Sequence, residues 1–295
     1  MKTIIIFLNG DRGINVLSSV LLNEYHVAAV VVPQTFENSS LRELIKRRSI
    51  PLLSVDNVNT ASQIERIRGF ESDLFIVAGF PTIFRRALID TPKIGIINLH
   101  AGRLPQYRGG SPLNWQLING EETGWVSVIR LMEGIDTGPI LAEKSFPIGA
   151  RDTIAGLHKK ANQIFPELVL TVLEDLEKIW CTSTVQDEEK AQYWHQRTDQ
   201  DGRLWFNKMS AVKADRFIRA LSCPYPGAWA WYETKIVRIY SAEIPEFILK
   251  GSPGRICYIE GKGPYVICTD RAILISDYEV VDDRKQHLQN GKVIN

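Results

Sequence analysis

Asn98 and His100 stand two positions apart where an apolar run, 95–99 (GIINL), gives way to a polar loop. Side chains two apart on an extended chain point the same way. The spacing therefore sets an amide and an imidazole on one face at the carboxyl edge of a strand, where open parallel sheets bind ligands. Polar side chains placed there cost stability unless they are hydrogen-bonded or used. The stretch that follows, 101–110, is too rich in glycine to be core, with Gly102, Gly109 and Gly110. Thirty-six positions after His100, a second glycine-bearing loop, 134–139, holds Asp136 among small neighbours. Each of the three residues has an ordinary alternative, a satisfied strand terminus or a turn carboxylate. Together they bring an amide donor, a ring that titrates near neutrality and a carboxylate within reach of one another, a set suited to moving a proton.

The elements that must position them follow from periodicity. Short apolar runs alternate with helical patterns through the first half, which predicts an α/β fold with a mostly parallel, Rossmann-like sheet and flanking helices. Strands are expected over 2–8, 26–32, 51–55, 73–79 and 95–99, and helices over 14–23, 39–48 (capped by Ser39 or Ser40) and 60–69. The 73–79 run, DLFIVAG, is apolar on both faces and reads as the central strand. A helix over 113–119, strands over 125–132 and 139–147, and one long helix over 153–179, bent or split by Pro166, complete this half. The polar stretch 181–201 lacks periodicity and reads as a linker. Beyond it a helix over 211–221 precedes short strands over 228–232, 235–242, 254–260, 265–268 and 272–280, as in a small barrel or sandwich. The expected domains are 1–190, carrying the chemistry, and 200–295, small and β-rich.

Composition narrows the function. The 35 basic and 34 acidic residues nearly cancel, which counts against a large polyanionic partner. The first strand-to-helix turn, NGDRGIN, lacks G-x-G-x-x-G, and the second strand ends in Val32-Pro33-Gln34 without an acidic residue, so a nicotinamide or flavin dinucleotide is not expected. Cys181, Cys223, Cys257 and Cys268 form no C-x-x-C pair and read as reduced thiols. His26, His100, His158, His195 and His287 are scattered, so no metal is expected. Neither a signal peptide nor a membrane span is read from the sequence, and the expected location is cytoplasmic.

Asn98-Leu99-His100, then Leu104-Pro105-x-Tyr107-Arg108-Gly109, then Asp136-Thr137-Gly138, resembles the signature of the folate-dependent formyltransferases. The resemblance covers about residues 1–180, and Tyr225-Pro226-Gly227-Ala228-Trp229 is similar to the small, OB-like C-terminal domain of the tRNA and sugar branches. One departure is Ala101-Gly102, where many members have glycine then serine. The resemblance implies that Asn98, His100 and Asp136 act together in passing a formyl group from 10-formyltetrahydrofolate to an amine. In that reaction a tetrahedral oxyanion needs a donor, a role to which Asn98 is suited. His100 can take the amine proton or bond the oxyanion, and Asp136 can orient the imidazole and help relay a proton to the departing folate nitrogen. The resemblance assigns this work to the three jointly. It also implies a folate pocket formed by Gly79, Phe80, Pro81, Leu104 and the Ile135-Asp136 backbone. Arg108, Gly109 and Gly110, with Arg197 and Tyr225, are the candidates to meet the amine substrate.

Methionyl-tRNA formyltransferases usually carry a basic, glycine-rich insertion after the second strand. Here residues 32–40 (VPQTFENSS) contain no basic residue, and Lys46-Arg47-Arg48 closes a helix whose C-terminus suits cations anyway. A nucleotide-linked amino sugar is therefore the expected acceptor, with Trp205, Tyr225, Trp229 and Trp231 as aromatic contacts or as core. Sugar-acting members imply a homodimer and a place in surface polysaccharide biosynthesis. The alternatives are methionyl-tRNA as acceptor, or water, which would make the chain a formyltetrahydrofolate hydrolase.

Overall fold

The computed structural model describes residues 2–282 and 286–295. The first half runs β1 (Thr3–Leu8), α1 (Gly10–Leu22), β2 (His26–Pro33), α2 (Ser39–Arg47), β3 (Leu52–Val55), α3 (Ala61–Arg68), β4 (Leu74–Ala78), α4 (Arg86–Ile89), β5 (Gly95–His100) and β6 (Arg108–Gly109). It continues through α5 (Pro112–Asn119), β7 (Thr123–Arg130), β8 (Ile140–Pro147), α6 (Ile154–Glu174), α7 (Leu176–Cys181) and β9 (Tyr193–Trp194). The last third is α8 (Ala211–Leu221) followed by β10 (Ala228–Tyr232), β11 (Lys235–Glu243), β12 (Ile256–Ile259), β13 (Lys262–Ile267) and β14 (Ala272–Val280).

Seven strands form one sheet in the order β3-β2-β1-β4-β5-β7-β8, with β1 to β5 parallel and β7 antiparallel to β5. All five residues of β4 are buried, in the middle of the sheet, as expected of a strand apolar on both faces. Phe7, Phe75, Phe80 and Phe84 gather in the core on one side of it. Asn38, rather than Ser39 or Ser40, caps α2, its side chain accepting from the Leu41 amide. α1 begins at Gly10, four residues before its apolar pattern starts.

The long helix does contain Pro166, yet it breaks at Asp175 instead. Proline at 166 removes the bond that would reach the Asn162 carbonyl. That carbonyl instead accepts from the Asn15 side chain at 3.3 Å, and α6 runs on past the proline.

The chain folds as two compact units. One runs to Gly109 and takes in Trp125–Phe146 and Lys159–Tyr193; the other holds Gly110–Gly124, Pro147–His158 and the chain from Trp194. Two segments thus join the C-terminal unit from the middle of the sequence, a grouping that a single cut near 190–200 does not give. They are tied to α8, where Asn114 donates to the Ala220 carbonyl at 2.8 Å and Arg219 donates to the Asp152 carbonyl at 2.6 Å. The five C-terminal strands are antiparallel in the order β10-β11-β14-β13-β12. Residues 292–295 then close them into a barrel. Asn295 and Trp231 exchange backbone bonds of 2.6 and 2.7 Å on the β10 side, while Ile294 donates to Gly254 at 2.9 Å beside β12.

Candidate active site

β5 ends the parallel part of the sheet, and its last residues bring Asn98 and His100 to the carboxyl edge. Asp136, from the turn between β7 and β8, meets both. Its Oδ2 lies 3.3 Å from His100 Nδ1, and its Oδ1 accepts from Asn98 Nδ2 at 3.4 Å. The same Oδ2 accepts the Gly109 amide at 2.9 Å. His100 is buried, and its Nε2 lies 2.5 Å from the Tyr107 carbonyl, so the imidazole is held from both sides. Asp136 is 14% exposed, which leaves one edge of the carboxylate open. The arrangement can donate from an amide, pass a proton through an imidazole and balance the resulting charge on a carboxylate.

Asp136 sits at φ 52°, a left-handed conformation that costs a non-glycine residue on the order of 1 kcal/mol. Two features hold it there. Gly138 lies so close to the preceding strand that a Cβ would come within 1.7 Å of the Arg130 carbonyl, so no other residue fits. Gln186 then donates from Nε2 to the carbonyls of Asp136 and Gly138, at 2.8 and 2.7 Å. Gln186 is itself oriented by Arg108, whose Nε donates to its Oε1 at 3.0 Å.

Arg108 was expected to reach out to substrate; the structure turns it inward. Its side chain is wholly buried, with Nη1 and Nη2 on Glu188 at 2.9 and 2.6 Å and Nη1 also on the Tyr193 hydroxyl at 2.8 Å. A buried guanidinium needs such partners, and these leave little of its donor edge for a ligand. The hydrogen bond from Arg108 holds the Glu188 carboxyl below its ordinary range, and Glu188 in turn raises Arg108. The supporting segment, read from sequence as a linker, is therefore a strap: Gln186, Glu188 and Tyr193 all come from it. Only its tertiary partners reveal this, because a strap without periodicity carries no pattern of its own.

The other predicted positions divide. Gly79 and Pro81 are exposed at the end of β4, and Ile135 beside Asp136 is 51% exposed. Phe80 is turned into the core, 5.7 Å from the Phe7 ring and 6.0 Å from Phe84, so it offers a ligand its backbone rather than its ring. Leu104 is buried. Gly109 serves Asp136 through its amide. Gly110, Arg197 and Tyr225 belong to the C-terminal unit. There Gly110 packs on Gln196, where a Cβ would come within 2.3 Å of the Gln196 Cα. Arg197 lies over the Trp115 and Phe217 rings, and burial pulls its pKa below the usual range. The Tyr225 hydroxyl lies 3.2 Å from His158 Nε2.

Comparison with known proteins gives a consistent picture. Residues 2–173 match the family described as formyl transferase, and residues 197–290 match the formyl transferase C-terminal domain. The chain is similar to a methionyl-tRNA formyltransferase of Citrifermentans bemidjiense, 32% identical over 252 residues that cover 85% of this chain and 77% of that protein. Among solved structures, it is similar to the sugar 3N-formyl transferase WlaRD, solved in the presence of dTDP and 5-N-formyl-THF. The TM-score is 0.68 at 17% identity, covering 96% of this chain and 98% of that one. HypX from Aquifex aeolicus, in complex with tetrahydrofolic acid, gives a TM-score of 0.67 at 18% identity and covers 96% of this chain and 45% of that one. At those identities the two structures speak to fold alone.

Proposed function

The chain belongs to the formyl transferase family, and from that membership we propose that it carries a formyl group from 10-formyltetrahydrofolate to the amine of a dTDP- or UDP-linked amino deoxysugar. The observation that supports formyl transfer best is the meeting of Asn98, His100 and Asp136 around one carboxylate. Asn98 has a second amide hydrogen free of that contact, suited to the oxygen that gains charge as the amine attacks the formyl carbon. The proton the amine loses goes to the His100–Asp136 pair, whose carboxylate balances the charge on the ring. The proton then goes to the departing folate nitrogen.

The formyl donor is a substrate, and the edge of the N-terminal unit suits it. Exposed apolar side chains follow β4 and β7: Ile83 is 76% exposed, Met132 50% and Ile135 51%. The two segments approach one another on the surface, where Arg86 Nη1 lies 3.7 Å from Glu133. A flat pterin would cover such a surface, and Gly79 and Pro81 leave the approach clear of bulky side chains.

The sugar reading of the acceptor rests on the connection from β2 to α2. It is confined to residues 34–38 (QTFEN), with no basic residue to grip an acceptor stem. The competing reading, methionyl-tRNA, is favoured by the 32% identity to a methionyl-tRNA formyltransferase. The purified protein, supplied with formyl donor, is expected to formylate a dTDP- or UDP-linked 3-amino or 4-amino sugar. Equal or better turnover of charged initiator tRNA would overturn the sugar reading. Release of tetrahydrofolate without any amine would point instead to hydrolysis.

A further inference from the structure

The C-terminal unit contains a cavity of about 870 Å³ that none of the proposed chemistry uses. Arg197, Arg203, Lys213 and Arg216 line it, against a single carboxylate, Asp201. That carboxylate is already engaged: it accepts from the Thr198 amide at 2.7 Å and lies 3.2 Å from His195 Nε2. Among the described residues no carboxylate pairs with Arg203, Lys213 or Arg216. Three cations facing one concavity without a counter-charge repel one another, and an anion relieves that repulsion.

The cations are also set in place. The Arg203 guanidinium lies 3.7 Å from the centre of the Trp205 ring and 5.7 Å from that of Trp229; Arg197 lies 4.7 Å from Trp115 and 5.1 Å from Phe217. A guanidinium over a ring can still donate N–H bonds to a phosphate. Arg197 already uses one, Nη2 donating to the Asp201 carbonyl at 2.6 Å, so Arg203 is the freer of the two. The buried Nε atoms of Arg197 and Arg203 have no hydrogen-bond partner. Arg216 rests over Gly120, where a Cβ would come within 2.0 Å of its Nη1. The first turn of α8 opens at the cavity through Ser210, and a helix N-terminus adds favourable potential for an anion.

The remaining wall is apolar. Trp205 is 37% exposed and Val212 44%, with Met209 beside them. Inorganic phosphate would meet the charge and leave this wall wet. A polymer would need an extended basic stripe, and the chain as a whole has a net charge of only +1. The volume lies in the range of about 300–1,000 Å³ typical of small-ligand sites. We infer that this cavity binds a nucleoside diphosphate, with the phosphates on Arg203, Lys213 and Arg216 and the base against Trp205 and Val212. The choice of a nucleotide as ligand deepens, and rests on, the reading of a nucleotide-linked acceptor.

The test is direct binding to the full chain without turnover, by calorimetry, with UDP, dTDP, uridine, pyrophosphate and a short single-stranded oligonucleotide. UDP or dTDP is expected to bind at least about tenfold more tightly than uridine or pyrophosphate, since each contributes only half the contacts. Lys213→Glu, at an exposed position, and Arg216→Ala are each expected to weaken nucleotide binding about tenfold or more, with thermal unfolding unchanged for Lys213→Glu. Pyrophosphate binding as tightly as the nucleotide, tighter binding of the oligonucleotide, or variants that bind like the parent would each overturn the inference. Binding that the variants abolish, in a protein that formylates no nucleotide-linked sugar, would sink the acceptor reading and leave this inference standing. Formylation of a nucleotide-linked sugar by a parent chain that binds neither free UDP nor dTDP in this cavity would do the reverse.

Discussion

In the N-terminal unit each charged group around Asp136 is answered by a neighbour: Arg108 by Glu188, Gln186 and Tyr193, and Asp136 by His100, Asn98 and the Gly109 amide. In the C-terminal unit Arg203, Lys213 and Arg216 line a cavity whose one carboxylate, Asp201, is engaged elsewhere, and among the described residues none of the three pairs with a carboxylate. The first arrangement is finished before any ligand arrives, which suits groups that must be aimed to within fractions of an ångström. The second is completed only by an anion, which suits recognition. Preorganised polar networks belong to chemistry and unanswered charge to binding. The two regions should therefore respond to mutation in different terms, kcat in one and affinity in the other.

The largest effect should come from the hub of the N-terminal network. Asp136→Asn keeps the size and removes the charge that balances His100, and kcat is expected to fall about 10²- to 10⁴-fold with KM for both substrates little changed. A variant that raised KM alone would place Asp136 on the binding side of the comparison. Gln186→Leu comes next. It touches none of the three side chains but frees the Asp136 backbone, whose carbonyl Gln186 holds, from its left-handed turn. A fall in kcat of about tenfold to a hundredfold is expected, on the scale of a misplacement near 1 Å. Unchanged kcat with only a lowered melting temperature would show that Gln186 serves the fold alone.

The smallest effect concerns Glu188. Its carboxyl is held below the ordinary range by the hydrogen bond from Arg108, so its folded pKa is depressed. The stability it contributes is then fully present above the unfolded value, about 4.3, and is lost as pH falls through the folded one. Hydrogen exchange in the strap should accelerate over that acid window in the parent and show no such step in Glu188→Gln.

Much of this was legible in the sequence, for physical reasons that differ by region. Strands with buried faces announce themselves as apolar runs, and β4, β10 and β14 fall within a residue or so of where the pattern set them. Asn98, His100 and Asp136 were legible because polar residues at a strand end and in a glycine-bearing turn need an explanation. The reach of Arg108 was misjudged because an arginine beside two glycines looks solvent-facing, and only Glu188 and Gln186, some eighty positions on, reveal the buried pair. Gln186 carried no local signal at all. The closure of the barrel by residues 292–295 was equally silent, since four residues are too few to show alternation.

The central claim is that Asn98, His100 and Asp136 act as one unit in formyl transfer. The most direct measurement is the rate of amine-dependent tetrahydrofolate release by the parent and by His100→Ala, each confirmed as folded by thermal unfolding. The account predicts turnover in the parent and a loss of at least about a hundredfold in kcat for the variant. Full activity in His100→Ala would contradict it.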